Sequence, residues 1–427
     1  MDEALYGSLK QRIASLLDAH GHLDDDRFLR LIEDEVWKDD RARSLNAREK
    51  GAVIRRLFHS FRGLDVLQPL LDDPAITEIM VNGHEDIFVE KEGEMFRTGL
   101  RFDSEERLEH IIQTIVGKVN RSVNTSSPIA DARLPDGSRV HVVLPPVSLR
   151  GPIVTIRKFP PSPLSMDDLL ERGAITPEAA EFLRRAVRAR CNMFISGGTG
   201  AGKTTLLNAL SQSIPEQERV ITIEDSAELQ MTNIPNLVRM ETRNANAEGK
   251  GRISIRDLIR ASLRMRPDRI IVGEVRGAEA ADMLQAMNTG HAGSLCTGHG
   301  NSCRDMLHRL ETMVLMDSAI PLYAVRQQIA SAIDILVHLS RLRDRSRRVM
   351  EICELAGCTD EDYRLNPLFQ FVETDGGDGQ VRGRLERTGN GLRRTEKWRL
   401  AGIRPFPVEE SLSFDEQEEE QVYETGR

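Results

Sequence analysis

The chain has 427 residues, enough for two to four domains at about 150 residues each. It is 40% apolar and 29% charged, and its longest apolar runs, at 270–272 and 333–337, fall far short of the ~20 residues that cross a bilayer, so the composition leaves no membrane span. Of the formal net charge of −9, −7 sits in residues 409–427; the −2 left for the body argues against a surface built throughout for nucleic acid.

Met1, Asp2 and Glu3 open an acidic, helix-like segment without the basic start and apolar core of a secretory signal, so a cytoplasmic protein is expected. The five cysteines (Cys191, Cys296, Cys303, Cys353, Cys358) lack paired CxxC spacing, which favours reduced thiols over a metal site.

Residues 1–60 carry Leu9, Ile13, Leu16 and Leu17 at helical intervals and predict a helical leader. Residues 61–158 alternate strand and helix. Short strands are expected at 78–81 and 86–89 around a turn begun by Asn82 and Gly83, then a helix with the stripe Leu108, Ile111, Ile112, Ile115, Val116 and Val119, with Asp103 as its cap. Further strands at 139–144 and 153–157 complete an α+β domain. Lys158-Phe159-Pro160-Pro161-Ser162-Pro163 cannot continue a helix or a central strand, because proline removes donors and fixes φ, so a linker is placed at 159–168.

Strand-like and helical runs then alternate over 169–340, the pattern of a parallel three-layer α/β domain, whose first helix has Thr176 before Pro177 at its start. Beyond it come an arginine run (Arg341, Arg343, Arg345, Arg347, Arg348) bordering a hairpin and short strands broken at Asp375-Gly376-Gly377 and Gly389-Asn390-Gly391. A small β-rich appendage is therefore expected at 341–405, with a solvated acidic tail at 406–427.

Gly197-Gly198-Thr199-Gly200-Ala201-Gly202-Lys203-Thr204 fits GxxxxGK[ST] between a strand candidate at 192–196 and a helix candidate at 204–210, with Thr205 completing the first turn. Glycines let successive backbone N–H groups turn inward around phosphate, and the helix N-terminus adds positive potential. Lys203 then reaches the β and γ phosphates and the Thr204 hydroxyl ligates Mg²⁺. Two later strands, 220–223 and 269–273, deliver carboxylates to their C-terminal ends: Glu224-Asp225, with Glu228 beyond, and Glu274. Gly273 stands where many phosphate-loop proteins place an aspartate, so Glu274 is expected on the metal shell, through water, or on the attacking water itself. Thr289-Gly290-His291 and Thr297-Gly298-His299 flank a further strand candidate at 293–296, and each histidine could sense or stabilise a γ-phosphate.

The order of phosphate loop, Glu-Asp box, Gly-Glu strand and histidine box resembles that of the secretion ATPase superfamily, which powers type II and type IV secretion and type IV pili. Residues 265–277 (MRPDRIIVGEVRG), 287–291 (MNTGH) and 130–139 (ADARLPDGSR) resemble its CpaF branch, associated with tight-adherence (Flp) pili, and the likeness runs from about 60 to 400.

The resemblance implies a RecA-like P-loop NTPase domain behind the smaller α+β domain and helical leader. It also implies a six-subunit ring that hydrolyses ATP with Mg²⁺, peripheral at the inner face of the cytoplasmic membrane through platform proteins. By analogy Arg133, Arg139 and Arg157 close on the phosphates, where in other systems one arginine is worth roughly 10³ to 10⁵ in rate. Glu224 would activate water and Glu274 hold the metal shell, although the sequence alone allows the two roles to be exchanged. Gly298 and Gly300 depart from the branch, which usually has a larger apolar residue and then Ala beside the histidine; greater backbone freedom at His299 is expected. A helicase or packaging motor using the arginine run is the competing reading, disfavoured by an aromatic content of 4% that leaves few stacking platforms.

Overall fold

The computed structural model describes residues 3–20, 23–91, 93–118, 122–159, 163–243, 245, 250–317, 320–374 and 380–406. The linker prolines Pro160 and Pro161, the Asp375-Gly376-Gly377 turn and residues 407–427 of the acidic tail lie outside these residues. The chain divides into two compact units, residues 1–161 and 162–427, with the division inside the proline-rich segment.

The first unit begins with helices α1 (Glu3–His20), α2 (Asp25–Lys38) and α3 (Ala47–Arg62). Their apolar stripes enclose Leu9, Ile13, Phe28, Ile32, Val36, Val53 and Leu57 in one small core. After the short helix α4 (Gln68–Asp72), strands β1 (Ile76–Asn82), β2 (Ile87–Lys91) and β3 (Glu94–Arg97), helix α5 (Glu105–Gly117), and strands β4 (Ile129–Arg133), β5 (Arg139–Val143) and β6 (Ile153–Arg157) form an antiparallel sheet in the order β3-β2-β1-β6-β5-β4. Leu108, Ile111, Ile112, Ile115 and Val116 of the expected stripe are buried on α5 against this sheet; Val119 lies outside the described residues. Its cap is Ser104, whose hydroxyl accepts from Arg107 N–H at 3.2 Å, one residue beyond the expected Asp103.

The second unit has helices α6 (Met166–Glu171), α7 (Pro177–Arg188), α8 (Lys203–Ser211), α9 (Ile255–Ser262), α10 (Glu279–Asn288), α11 (Cys303–Leu315), α12 (Leu322–Ala332) and α13 (Glu396–Leu400). Its strands are β7 (Met193–Gly197), β8 (Val220–Glu224), β9 (Leu237–Glu241), β10 (Arg269–Val275), β11 (Leu295–Gly298), β12 (Ile335–Arg341), β13 (Arg347–Cys358), β14 (Tyr363–Thr374) and β15 (Arg382–Arg387). All nine belong to one sheet, ordered β15-β14-β13-β12-β7-β11-β10-β8-β9. Strands β12, β7, β11, β10, β8 and β9 run parallel; β13, β14 and β15 add antiparallel strands at one side.

The β-rich segment expected as an appendage thus extends the parallel sheet, and its contacts place it in the same unit. Alternate residues of the central strands feed two cores, one on each face. Met193 and Ile195 pack with α7 and α8 residues on one side, and Phe194 packs with α10 and α11 residues on the other. Such two-sided burial explains why these strands read as near-continuous apolar runs.

Buried charges tie distant segments to the sheet. Arg269, fully buried, donates to Glu218 and to the Val187 and Gly293 carbonyls. Asp334 accepts from the Asn192 N–H at 2.7 Å, just before β7, and from Lys397 Nζ at 2.5 Å. Trp398, 2% exposed, stacks on Phe182 of α7 with ring centroids 5.5 Å apart.

Candidate functional site

Strand β7 is buried throughout and ends at Gly197, from which the glycine loop climbs to α8. Gly198, Thr199 and Gly200 are exposed, Ala201 is buried, and Gly202 caps the helix at φ 97°, a left-handed conformation that few other residues adopt. Thr204 and Thr205 follow, half-buried, on the first turn. Lys203 Nζ folds back onto the loop, donating to the Gly197 and Gly198 carbonyls at 3.0 Å each. Burial, more than the opposing charge of Glu274, lowers the pKa of this ammonium from its ordinary value.

The parallel topology brings the ends of β8, β10 and β11 to the same edge as the loop. Glu274, on β10, meets Arg276 Nη2 at 2.7 Å and has His299 Nε2 2.7 Å from its Oε1. The histidine approach is an ion-pair distance and not an aligned hydrogen bond, so that oxygen keeps an unused lone pair. Burial alone would raise the Glu274 carboxyl, but Arg276, with smaller help from His299 and Lys203, outweighs it and holds the group below its ordinary value. His299 Nδ1 lies 3.4 Å from Lys203 Nζ; burial and that lysine's charge push the imidazole pKa down, which favours a neutral ring. Lys203, Glu274, Arg276 and His299 therefore form one contiguous cluster at the loop.

Glu224 closes β8 and is 3% exposed. Its Oε2 accepts from the Glu228 and Leu229 N–H groups at 2.7 and 3.0 Å, while Oε1 is buried without a partner among the described residues. Burial pushes this carboxyl up to about 7 against the pull of the two backbone donors. A Cβ on Gly273 would stand 2.8 Å from Glu224 Cγ, so the glycine in the aspartate's usual position is what lets the glutamate pack there.

Gly298 has a similar steric reason: a Cβ there would meet the Phe194 ring at 2.9 Å and Met306 Cε at 3.1 Å. The expected looseness at His299 is therefore replaced by tight packing beneath it.

The second histidine does not join the cluster within one chain. His291 lies before the start of β11, at the opposite end of that strand from His299, with its Nδ1 3.2 Å from the Ala286 carbonyl of α10. The three arginines sit in the first unit in one cross-strand row, Arg133 opposite Arg139 and Arg139 opposite Arg157; Arg157 also has Glu78 Oε1 at 3.7 Å from its Nε.

Sequence reading gave no role to three residues beside the loop. His338, 5% exposed, shares a 2.9 Å contact with the Ser196 hydroxyl, Arg276 pairs with Glu274, and Arg347 donates to the Gly200 carbonyl at 2.8 Å. Arg276 stands inside the quoted 265–277 stretch and Arg347 inside the arginine run, so both carried a signal; His338, within an apolar strand, carried none. Cys303, Glu351 and Cys353 also cluster, but Glu351 already caps α11 through the Cys303 N–H at 2.6 Å and accepts from Cys353 Sγ at 3.8 Å, so its carboxylate is satisfied without a metal.

A glycine loop between a buried parallel strand and a helix, with lysine and carboxylate at the sheet's C-terminal edge, defines a P-loop nucleotide-binding protein. The family described as Type II/IV secretion system protein matches residues 61–386, and the chain belongs to that family. It is 36% identical over 310 residues to a putative conjugal transfer protein of Mycobacterium tuberculosis, covering 71% of this chain and 88% of that one. The type IV secretion system protein VirB11 of Brucella suis is 34% identical over 318 residues, covering 68% and 88%. Among solved structures, the ATPase DotB of Yersinia pseudotuberculosis superposes with a TM-score of 0.50 at 18% identity, covering 70% of this chain and 79% of that one, a likeness of fold. Among the described residues no helix is long and apolar enough to cross a membrane.

Proposed function

We propose that the chain hydrolyses ATP and, as a ring of six, powers a type II/type IV membrane machine of the tight-adherence (Flp) pilus kind. It would work in the cytoplasm, docked on inner-membrane platform proteins. The observation that carries this reading is the cluster of Lys203, Glu274 and His299 gathered at a phosphate loop in a member of the secretion family.

The residues present suit ATP and Mg²⁺. Lys203 rests on two carbonyls it can exchange for phosphate oxygens, and the carboxylates of Glu224 and Glu274 each keep a buried oxygen without a hydrogen-bond donor among the described residues. Thr204 by its hydroxyl, and Glu274 through water, would hold Mg²⁺, which when bound neutralises developing phosphate charge. Lys203 positions the β and γ phosphates. Glu224, whose pKa near 7 matches the pH of use, takes a proton from water at its free Oε1. His299, neutral, would turn its Nε2–H, which faces Glu274 Oε1, to the γ-phosphate.

Arg133, Arg139 and Arg157 are proposed to close on the phosphates. They stand in one cross-strand row, which sets the three guanidinium groups side by side for a polyanion. The nucleic-acid motor is less well supported, because Arg343 is paired with Glu373 while Arg347 and Arg348 are held by the Gly200 and Gly173 carbonyls, which ties down three of the five arginines of the run.

Lys203→Ala removes a charge from the phosphates and little core. ATP turnover should fall by about 100-fold or more with the circular dichroism spectrum unchanged, and turnover within twofold of the parent would reject the site.

A further inference from the structure

One member of the arginine run, Arg347, touches the glycine loop. Arg347 opens β13 opposite Arg341 of β12, and β12 lies alongside β7 with Leu339 opposite Gly197, so the hairpin stands directly beside the glycine loop. From there Arg347 Nε donates to the Gly200 carbonyl at 2.8 Å, and its Cδ lies 3.7 Å from where a Gly202 Cβ would be. The stem thus runs over one loop glycine and the guanidinium grips another.

Hydrogen bonds brace the arm that presents it. Asp344 Oδ1 accepts from the Ser346 N–H and hydroxyl, and its Oδ2 accepts from the Val381 N–H at 3.0 Å. Leu342 N–H donates to Ser346 O at 2.8 Å, closing the turn. Arg343 and Arg348 are fixed by Glu373 and by Gly173 O, whereas exposed Arg347 has no carboxylate partner among the described residues.

The grip matters because a peptide unit is planar: holding the Gly200 carbonyl outward aims the Ala201 N–H the other way, into the loop, where it donates to Gly198 O at 3.3 Å. An inward N–H at Ala201 is what a phosphate cradle needs once it exchanges the Gly198 carbonyl for a phosphate oxygen.

We propose that Arg347 is a positioning residue for the nucleotide: by clamping the Gly200 carbonyl it preorganises the loop for a nucleoside polyphosphate before the ligand arrives. The inference rests on the nucleotide-site reading above. A preorganising contact acts equally on ground and transition states, so its loss raises KM and leaves kcat alone.

The test measures equilibrium binding of a fluorescent ADP and steady-state MgATP kinetics on the full chain for wild type, Arg347→Ala, Arg347→Lys and Arg341→Ala. For Arg347→Ala, Kd and KM should rise about three- to tenfold, the scale of one ordinary hydrogen bond, with kcat within twofold. Arg347→Lys should recover part of the loss, and Arg341→Ala, which removes the same charge from the cross-strand neighbour, should bind as wild type. An unchanged Kd in Arg347→Ala overturns the clamp. So does an equal loss in Arg341→Ala, which would reduce the effect to general electrostatics, and so does a fall in kcat matching that in kcat/KM, which would make the residue catalytic. Wild type that binds nucleotide while Arg347→Ala is indifferent sinks this proposal alone; wild type that binds none sinks the nucleotide site with it.

Discussion

Glu224→Gln tests whether the carboxyl at the end of β8 is buried at an energetic cost. The side chain is 3% exposed, and burial moves its pKa from the ordinary 4.5 to about 7. A folded pKa above the unfolded one means that the native state holds the proton more tightly. The contribution to stability is therefore full below about 4.5 and is lost as the pH rises through about 7. At 1.36 kcal/mol for each pH interval, the loss between pH 5 and 8 comes to about 2 to 3 kcal/mol. Glutamine has the same shape and no proton to lose, so it should erase this dependence. A fixed offset is also expected, because the amide places an NH₂ where Oε1 has no partner, but that offset does not change with pH.

The measurement is urea unfolding of the second unit at pH 5, 6, 7 and 8, read by Trp398 fluorescence in a Trp37→Phe background, since the chain has 2 tryptophans and the other belongs to the leader. The variant should gain on its parent steadily with pH. A difference that stays constant to within about 0.5 kcal/mol across the range, on a scale where single substitutions commonly cost 0.5 to 3, would refute the claim that Glu224 is held out of water.

Two further outcomes follow from packing. Gly273→Ala brings a Cβ to 2.8 Å from Glu224 Cγ and should cost about 1 to 3 kcal/mol; the penalty should largely vanish on a Glu224→Ala background, and an undiminished penalty there would point to a different clash. Trp398→Ala removes a 2%-exposed ring stacked on Phe182 and should cost about 3 to 5 kcal/mol by thermal or chemical denaturation, whereas a loss under about 1 kcal/mol would mean that α13 is not part of the core.

The phosphate loop was legible in the sequence because its chemistry is local: eight consecutive residues, a strand before and a helix after. Glu224 and Glu274 were legible for a related reason, since an apolar run ending in a carboxylate marks the end of a parallel strand. What was not legible depends on strand pairing. The alignment of Arg133, Arg139 and Arg157 into one row exists only in the register of β4, β5 and β6, and the separation of His291 from His299 only in the direction of β11. The union of β13, β14 and β15 with the parallel sheet also escaped, because an antiparallel extension and a separate small domain carry the same alternating pattern and differ only in what β13 pairs with. Ser104 and Asp103 are equally good caps by residue type, and the choice between them is made by the backbone.

The salt link from Lys397 to Asp334 reaches further than its place near the end of the fold suggests. The same carboxylate oxygen takes the N–H of Asn192, the residue from which the strand beneath the glycine loop departs. Clipping the polypeptide ahead of Arg394 would strand a negative charge at the foot of that strand and remove the indole wedge against α7. A protease acting there would loosen the floor under the glycine loop without touching a residue of the loop itself.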